Sequence, residues 1–188
     1  MTVIALLDAN ALYRATTRSV LLYLAVAGVY RARWSEAIQD EWVSAVLRNG
    51  PQIDPARIQR TRSLMDSHIP DASVSGYEPL IAGLALPDAN DRHVLAAAIH
   101  GGASFIVTDN LRHFPGTALA PYQLMACTAD RFVLGLLAGD GITVATAIGR
   151  DRANLRNPPM DVASYLGALV SSGLVETAAA LRDFTDHL

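Results

Sequence analysis

The sequence predicts an α/β fold, a three-layer α/β/α Rossmann-like sandwich around a central parallel sheet, followed by C-terminal helices. Two observations predict it. Short apolar runs alternate with segments of helical periodicity up to about residue 126, as expected when right-handed crossovers join parallel strands that are buried on both faces. Beyond that point only helical periodicity remains. We therefore expect an α/β domain at residues 1–126 and a helical extension at residues 127–188.

The strands are predicted from short apolar runs that end at turn-forming or acidic residues. The first covers residues 3–7 and stops at Asp8. The second and third cover residues 29–34 and 72–75, and the fourth covers residues 104–107, just before Thr108. Residues 122–126 are predicted to form the last strand, at an edge of the sheet.

The helices are predicted from apolar residues at helical spacing and from their capping residues. One helix is expected over residues 11–27, a second after the N-cap Ser35, and a third after Asp54, with proline at its first position. Residues 78–85 form a short helix or loop, and a clearer helix begins at Asp91. In the extension we expect helices over residues 130–137, 143–155, 162–171 and 174–184, interrupted at residues 157–159.

Composition narrows the classes of function. The 188 residues carry a net charge of −3, which is not the general electrostatic footprint of a nucleic-acid-binding protein. All 15 basic residues are arginines, however, and the arginine guanidinium can form two parallel hydrogen bonds to one phosphate. The single Cys127, expected in the core, excludes an internal disulfide and fits a reducing cytoplasm. No signal peptide or membrane-spanning segment is predicted.

Acidic residues stand where several predicted elements begin or end. Asp8 and Asp109 follow the first and fourth strands, and Asp91 begins a helix with Asp88 three residues before it. Ligands of open parallel sheets bind beyond the carboxyl ends of the strands. These carboxylates should therefore meet at one edge of the sheet.

Glu41 joins this set through helical periodicity. Its helix has an apolar stripe through Ile38, Trp42, Ala45 and Val46. Glu41 lies three residues after Ile38 and four before Ala45, so it should lie on or beside the stripe. A glutamate that faces the interior is costly unless a cation accompanies it.

Each acid also has an ordinary structural explanation. Asp8 and the pair Asp109–Asn110 could form turns, Asp88 and Asp91 could cap helices, and Glu41 could be a surface residue if the helix phase is shifted by one. If the sheet forms as predicted, however, several of these charges converge and repel one another. Mg²⁺ or Mn²⁺ would relieve that repulsion, because hard cations prefer carboxylate oxygen.

Several segments resemble the PIN-domain ribonuclease family, particularly its VapC-like toxins. The opening VIALLDANAL is similar to the family's first motif, which ends on an aspartate followed two residues later by an asparagine. WSEAIQDEW is similar to the second motif, and LPDANDRHVLAAAIHGGASFIVTDN to the third and fourth. The resemblance covers roughly residues 1–115, and the C-terminal helices are similar to those of a subset of the family.

The resemblance implies an endoribonuclease that depends on Mg²⁺ or Mn²⁺, often a homodimer, and in toxin members a cognate antitoxin. The residues it implies as catalytic metal ligands are Asp8, Glu41, Asp91 and Asp109. Asn10, Asp88, Thr108 and Asn110 would support them. Apart from the resemblance, Arg14, Arg112 or the set Arg57, Arg60 and Arg62 could hold RNA phosphates. Relatives often carry the fourth acid at the position of Asn110 or His113, so either Asp109 or Asn110 completes the site. His113 could be a polar contact that replaces the acid or merely a loop residue, and we favour the loop residue.

Two rival hypotheses stay open. One is another divalent-metal phosphoesterase, although a haloacid-dehalogenase-like enzyme would need a second aspartate where Asn10 stands. The other is a non-catalytic PIN-like scaffold that binds RNA or protein. In the extension, Arg152 and Arg156 share a predicted helix face, and we expect structural pairing there rather than RNA binding.

Overall fold

A five-stranded sheet forms the centre of the molecule, and all of its strands are parallel, in the order β3-β2-β1-β4-β5. The computed structural model describes residues 2–156 and 158–188, so Asn157, in the predicted interruption of the extension, lies outside it. The predicted three-layer α/β/α class is confirmed. The strands are β1 (Ile4–Leu7), β2 (Arg31–Ser35), β3 (Ser73–Val74), β4 (Phe105–Val107) and β5 (Met125–Cys127).

Eleven α-helices are present in the described part of the chain. They are α1 (Ala9–Tyr13), α2 (Ala15–Val26), α3 (Glu36–Asn49), α4 (Pro55–His68), α5 (Glu78–Ile81), α6 (Arg92–His100), α7 (Gly116–Leu119), α8 (Ala129–Gly139), α9 (Gly141–Asn154), α10 (Val162–Ser171) and α11 (Val175–Ala180). Short 3₁₀ turns cover Pro70–Ala72, Ala89–Asp91, Leu111–His113, Ala120–Tyr122 and Leu181–His187. None of these helices is both long and apolar enough to cross a membrane.

Strand order explains the three layers and the position of the carboxyl edge. The chain moves from β1 outward through β2 to β3, and then crosses β1 to reach β4 and β5. Right-handed crossovers in these two directions place α2 to α4 on one face and α6 on the other. Ala5, Leu6 and Leu7 of the central strand are fully buried. The carboxyl ends of β1, β2, β4 and β5 therefore share one edge, with the loops that carry the acidic residues.

The predicted single helix over residues 11–27 is wrong, because the chain breaks at Arg14. That residue has an extended backbone (φ −78°, ψ 122°), which separates α1 from α2. The break leaves carbonyls at the end of α1 without helical partners. Arg18 supplies the missing donors: its guanidinium donates to the carbonyl oxygens of Leu12 and Tyr13 and lies 4.5 Å from the centroid of the Trp42 ring. Arg18 is buried, and burial lowers the pKa of its guanidinium to about 10.

The last strand begins later than the predicted 122–126. Tyr122 ends a 3₁₀ turn, and Gln123 follows with a left-handed backbone (φ 57°), which delays the strand to Met125. Cys127 is half-buried at its end and pairs in register with Val107 of β4. Burial raises the pKa of the Cys127 thiol to about 11, as expected for an unreactive structural cysteine.

The C-terminal helices pack against α2 and share one apolar core with the sheet domain. Polar contacts fix their position: Asp151, which is buried, accepts hydrogen bonds from the Ser19 hydroxyl (2.5 Å) and the Tyr165 hydroxyl (2.7 Å). Arg152 donates to the carbonyl oxygens of Met160 and Leu188. Arg152 thus serves the structure, although not through the pairing with Asp151 or Asp161 that its charge suggests. The proposed boundary at residue 126 stays a prediction.

Arg18→Met tests the account of the helix break. We expect the free energy of unfolding to fall by about 3 kcal/mol, because two carbonyls lose their donor and the contact with the Trp42 ring is lost. Urea unfolding measures this change, and Arg18→Lys, which keeps a cation but not the forked donor, should recover only part of it. A loss below about 0.5 kcal/mol for Arg18→Met would contradict the account.

Candidate active site

An open cleft of about 420 Å³ lies at the carboxyl edge of the sheet, where the acidic residues were expected. The carboxylates that line it come from four places: Asp8 after β1, Glu41 on α3, Asp91 before α6 and Asp109 after β4. They lie up to about 100 positions apart in the sequence. The parallel sheet and its crossovers bring them together.

Asp8 is the most constrained of these acids. It is only 5% exposed, and its two carboxylate oxygens accept three hydrogen bonds. One oxygen accepts from the Ala9 amide (2.7 Å), which makes Asp8 the N-cap of α1. The other accepts from the Thr108 hydroxyl (2.8 Å) and the Asn10 side-chain amide (2.7 Å). Capping of α1 therefore accounts for one oxygen of Asp8, whereas the side chains of Thr108 and Asn10 hold the other.

Opposing influences act on the pKa of Asp8. Burial, the largest of them, raises it above its ordinary value, and the charges of Asp91 and Glu41 raise it further. The hydrogen bonds from Thr108 and Ala9 act in the opposite direction but do not cancel the increase. The cleft therefore concentrates negative charge around a carboxylate that water reaches poorly, and a cation there would stabilise the charged form.

Asn10 connects the ends of β1 and β4. Its side-chain amide donates to Asp8 and to the Thr108 hydroxyl (2.9 Å), and its carbonyl oxygen accepts from the Asp109 backbone amide (2.8 Å). Thr108 is fully buried, whereas Asp109 and Asn110 are exposed and line the cleft. The backbone amide of Asn110 donates to Thr108 Oγ1 (3.1 Å). The hydrogen bond from the Asp109 amide to Asn10 thus fixes the Asp109 backbone, and the exposed Asp109 side chain lines the cleft.

Glu41 does not face the interior, and the expectation that burial forces a cation on it is wrong. Ile38, Trp42 and Val46 are buried, whereas the Glu41 side chain is 49% exposed at the border of their stripe. Its Oε1 lies 3.0 Å from Nε2 of His93, on α6. Burial alone would lower the pKa of His93, but the hydrogen bond and charge of Glu41, with the charges of Asp8 and Asp91, raise it.

Asp88 and Asp91 make different contacts. Asp88 caps the following 3₁₀ turn through the Asn90 amide (2.9 Å), whereas Asp91 makes no side-chain cap. Asp91 Oδ2 instead lies 2.7 Å from Nδ1 of His113. Arg112 Nε donates to His113 Nε2 (3.1 Å), so that nitrogen is the acceptor and the proton belongs on Nδ1, which donates to Asp91. The interpretation of His113 as a mere loop residue is wrong.

The acids share a cleft without meeting at one point. In the described part of the chain, the potential ligand atoms that lie within 4.8 Å of one another belong to Asp88, Asp91 and His113. Among the predicted RNA contacts, Arg14 lines the cleft, and Arg112 is exposed beside His113. Sequence reasoning missed His93, whose signal was its position two residues after Asp91, in the first turn of α6.

Comparison with known proteins finds similarity in both parts of the chain. Residues 5–112 match the family model described as PIN domain, and residues 129–183 match the one described as VapC50 C-terminal domain. Over 95 residues the chain is 44% identical to "Putative ribonuclease VapC50" of Mycobacterium tuberculosis strain H37Rv. That stretch covers 50% of this chain and 55% of the relative, so the similarity spans about half the length of the curated relative. No solved structure matches.

Thr108→Val tests the hydrogen-bond network around Asp8. The substitution keeps the volume of the side chain and removes the hydroxyl that lowers the pKa of Asp8. We therefore expect that pKa to rise above its wild-type value, so that protonated Asp8 persists to higher pH in the metal-free protein. Carboxyl ¹³C NMR titration measures the change, and Thr108→Ser should leave it small. An unchanged or lower pKa in Thr108→Val would contradict the network.

Proposed function

The chain belongs to the PIN domain family, and from this membership and its carboxylate cleft we propose that it is a divalent-metal-dependent endoribonuclease, the toxin of a type II toxin–antitoxin pair. The observation that carries the proposal is the buried carboxylate of Asp8, held in place by Thr108 and Asn10 and faced by the charges of Asp91 and Glu41. Burial of a carboxylate near other negative charges costs free energy when no cation is bound. In a metal site the same arrangement binds the ion.

The residues of the cleft fit a hard divalent cation, Mg²⁺ or Mn²⁺. The four acidic candidates offer carboxylate oxygens, which hard cations prefer. Burial is the largest cause of the raised pKa of Asp8, and the charges of Asp91 and Glu41 add to it. Near His93 the hydrogen bond and charge of Glu41, with the charges of Asp8 and Asp91, raise the pKa against the effect of burial. We propose Asp8, Glu41, Asp91 and Asp109 as the residues that hold the ion, with Asn110 as the alternative to Asp109. When bound, the ion would stabilise negative charge on a phosphodiester and activate water for its hydrolysis.

Side chains of the protein would then hold the metal ligands and the RNA in position. Thr108 and Asn10 hold one oxygen of Asp8, and the Ala9 amide holds the other, so the carboxylate cannot rotate freely. His113 fixes Asp91 from the side, as histidines and carboxylates around metal ligands commonly do. Arg14 lines the same cleft, where it can bind a phosphate of the RNA.

The partners follow from the same proposal. Because the proposed substrate is RNA, we propose that the protein acts in the cytoplasm. Toxin members of the family are neutralised by a cognate antitoxin and often form homodimers, and we extend both properties to this chain as proposals. The open shape of the cleft suits a polymer better than a small phosphate ester, which favours RNA over the substrate of a small-molecule phosphatase.

Asp8→Asn and Asp91→Asn test the proposed catalytic site. We expect each substitution to lower Mn²⁺-dependent cleavage of single-stranded RNA by at least about a hundredfold, because a neutral amide is a poor ligand for a hard cation. Gel analysis of RNA fragments measures cleavage, and Asp54→Asn, at the exposed cap of α4, is the matched control. Cleavage unchanged in both site variants would contradict the assignment. Calorimetry without Mn²⁺ binding at millimolar concentration would favour a non-catalytic scaffold.

His113 gives a second prediction for the same site. His113→Ala removes the donor to Asp91 Oδ2, so we expect the Kd for Mn²⁺, measured by calorimetry, to rise by about tenfold to a hundredfold. His113→Asn places an amide donor near the position of Nδ1 and should restore most of the affinity. Equal affinities in wild type, His113→Ala and His113→Asn would show that the contact has no role in metal binding.

A further inference from the structure

A second pocket continues the carboxylate cleft along the carboxyl edge of the sheet. It has a volume of about 220 Å³ and reaches the end of β5 at Thr128. Asn10, Arg14 and Asp109 line both the cleft and this pocket, so the two spaces join across these side chains. The far wall of the pocket is the turn between α10 and α11, residues 172–174, which belongs to the C-terminal extension.

Hydrogen bonds hold this wall in place. The Ser172 hydroxyl accepts from the Thr17 amide (3.2 Å), and the Thr17 hydroxyl donates to the Ser172 carbonyl oxygen (3.0 Å). Across the pocket, Asp130 on α8 accepts from the backbone amides of Glu176 (2.9 Å) and Thr177 (2.8 Å). Both ends of the turn are therefore tied to elements that border the sheet edge, and the wall is a fixed part of the edge rather than a loose appendage.

Arg14 lies at the junction of the two spaces, against the wall. A Cβ atom at Gly173 would lie 3.0 Å from Arg14 Nη1, so a side chain there would press the guanidinium a few tenths of an ångström from its present position. Gly173 also has a positive φ of 92°, which glycine adopts without strain. Among the described residues that line either space, Arg14 is the only cation. The break between α1 and α2 and the glycine turn of the extension thus both serve to place this one positive group.

We propose that single-stranded RNA passes from the carboxylate cleft across Arg14 into this pocket, so that the C-terminal extension forms one wall of the RNA path. The inference rests on the proposed ribonuclease function and assigns the extension a part in substrate binding. Arg14 binds the phosphate at the junction. Deeper in the pocket, the carboxylates of Asp109 and Asp130 repel a second phosphate. The pocket therefore receives the sugar and base of the nucleotide.

Two substitutions of equal shape at Gly173 test the wall. Gly173→Asp and Gly173→Asn impose the same backbone strain and the same bulk beside Arg14, and they differ by one charge. In Gly173→Asp the new carboxylate pairs with the Arg14 guanidinium and repels phosphate, whereas in Gly173→Asn it does neither. We expect Gly173→Asp to bind RNA about tenfold more weakly than Gly173→Asn, with thermal unfolding confirming that both variants fold.

The measurement is fluorescence anisotropy with a labelled single-stranded RNA of about twelve nucleotides, in Ca²⁺, with a gel confirming that the RNA stays intact. Arg14→Ala should weaken binding and reduce the slope of log Kd against log salt by about 0.7, the value for one lost phosphate contact on a single strand. Arg182→Ala, at an exposed arginine in the last 3₁₀ segment that lines neither space, is the control.

The outcomes separate this inference from the proposed function. Weaker binding in Gly173→Asp than in Gly173→Asn, with a reduced salt slope in Arg14→Ala, supports the RNA path. If wild type binds RNA and both Gly173 variants and Arg14→Ala bind it equally well, the path is wrong while the ribonuclease proposal stands. If wild type does not bind RNA at all, both proposals are wrong.

Discussion

The burial of one carboxylate, that of Asp8, is the constraint on which the rest of the site depends. The central strand β1 is fully buried at Leu6 and Leu7, and the next residue carries a charge that is almost inaccessible to water. A carboxylate in that position requires hydrogen-bond donors, and Ala9, Asn10 and Thr108 supply them. The donors in turn fix the ends of β1 and β4 relative to each other. The remaining negative charge of Asp91 and Glu41 is what a cation would neutralise.

A second buried charge, that of Arg18, shapes the other side of the cleft. Its guanidinium satisfies the carbonyls at the end of α1, which allows the chain to break at Arg14 and begin α2 in a new direction. The same helix α2 carries Thr17 and Ser19, which bind the C-terminal extension. The cleft, the helix break and the extension are therefore coupled through a few residues of α2, and the extension is positioned to act at the sheet edge.

The parts of this arrangement that depend on local pattern were predictable from sequence. The buried strands and the meeting of Asp8 and Asp91 at one edge follow from apolar runs and parallel topology. The break at Arg14 was not predictable, because residues 11–27 contain no proline or glycine before the end of the segment. The contact between His113 and Asp91 joins residues 22 positions apart, and the close approach of Arg14 to Gly173 joins the start of α2 to the turn between α10 and α11. The sequence offered His113 as a possible polar contact, but it did not show the partner of either residue. Helical periodicity placed Glu41 beside the apolar stripe of α3, but it did not predict how much of the Glu41 side chain is exposed to solvent.

Anomalous diffraction from crystals of the protein soaked in Mn²⁺ tests the central claim most directly, because it locates the ion without assuming any activity. The account predicts an anomalous peak in the cleft, within about 2.5 Å of a carboxylate oxygen of Asp8 and of at least one of Asp91, Glu41 or Asp109. A peak confined to Asp88 and His113, or no peak in the cleft at saturating Mn²⁺, would contradict it. In that case the buried charge of Asp8 would be a structural feature of the fold and not the centre of a metal site.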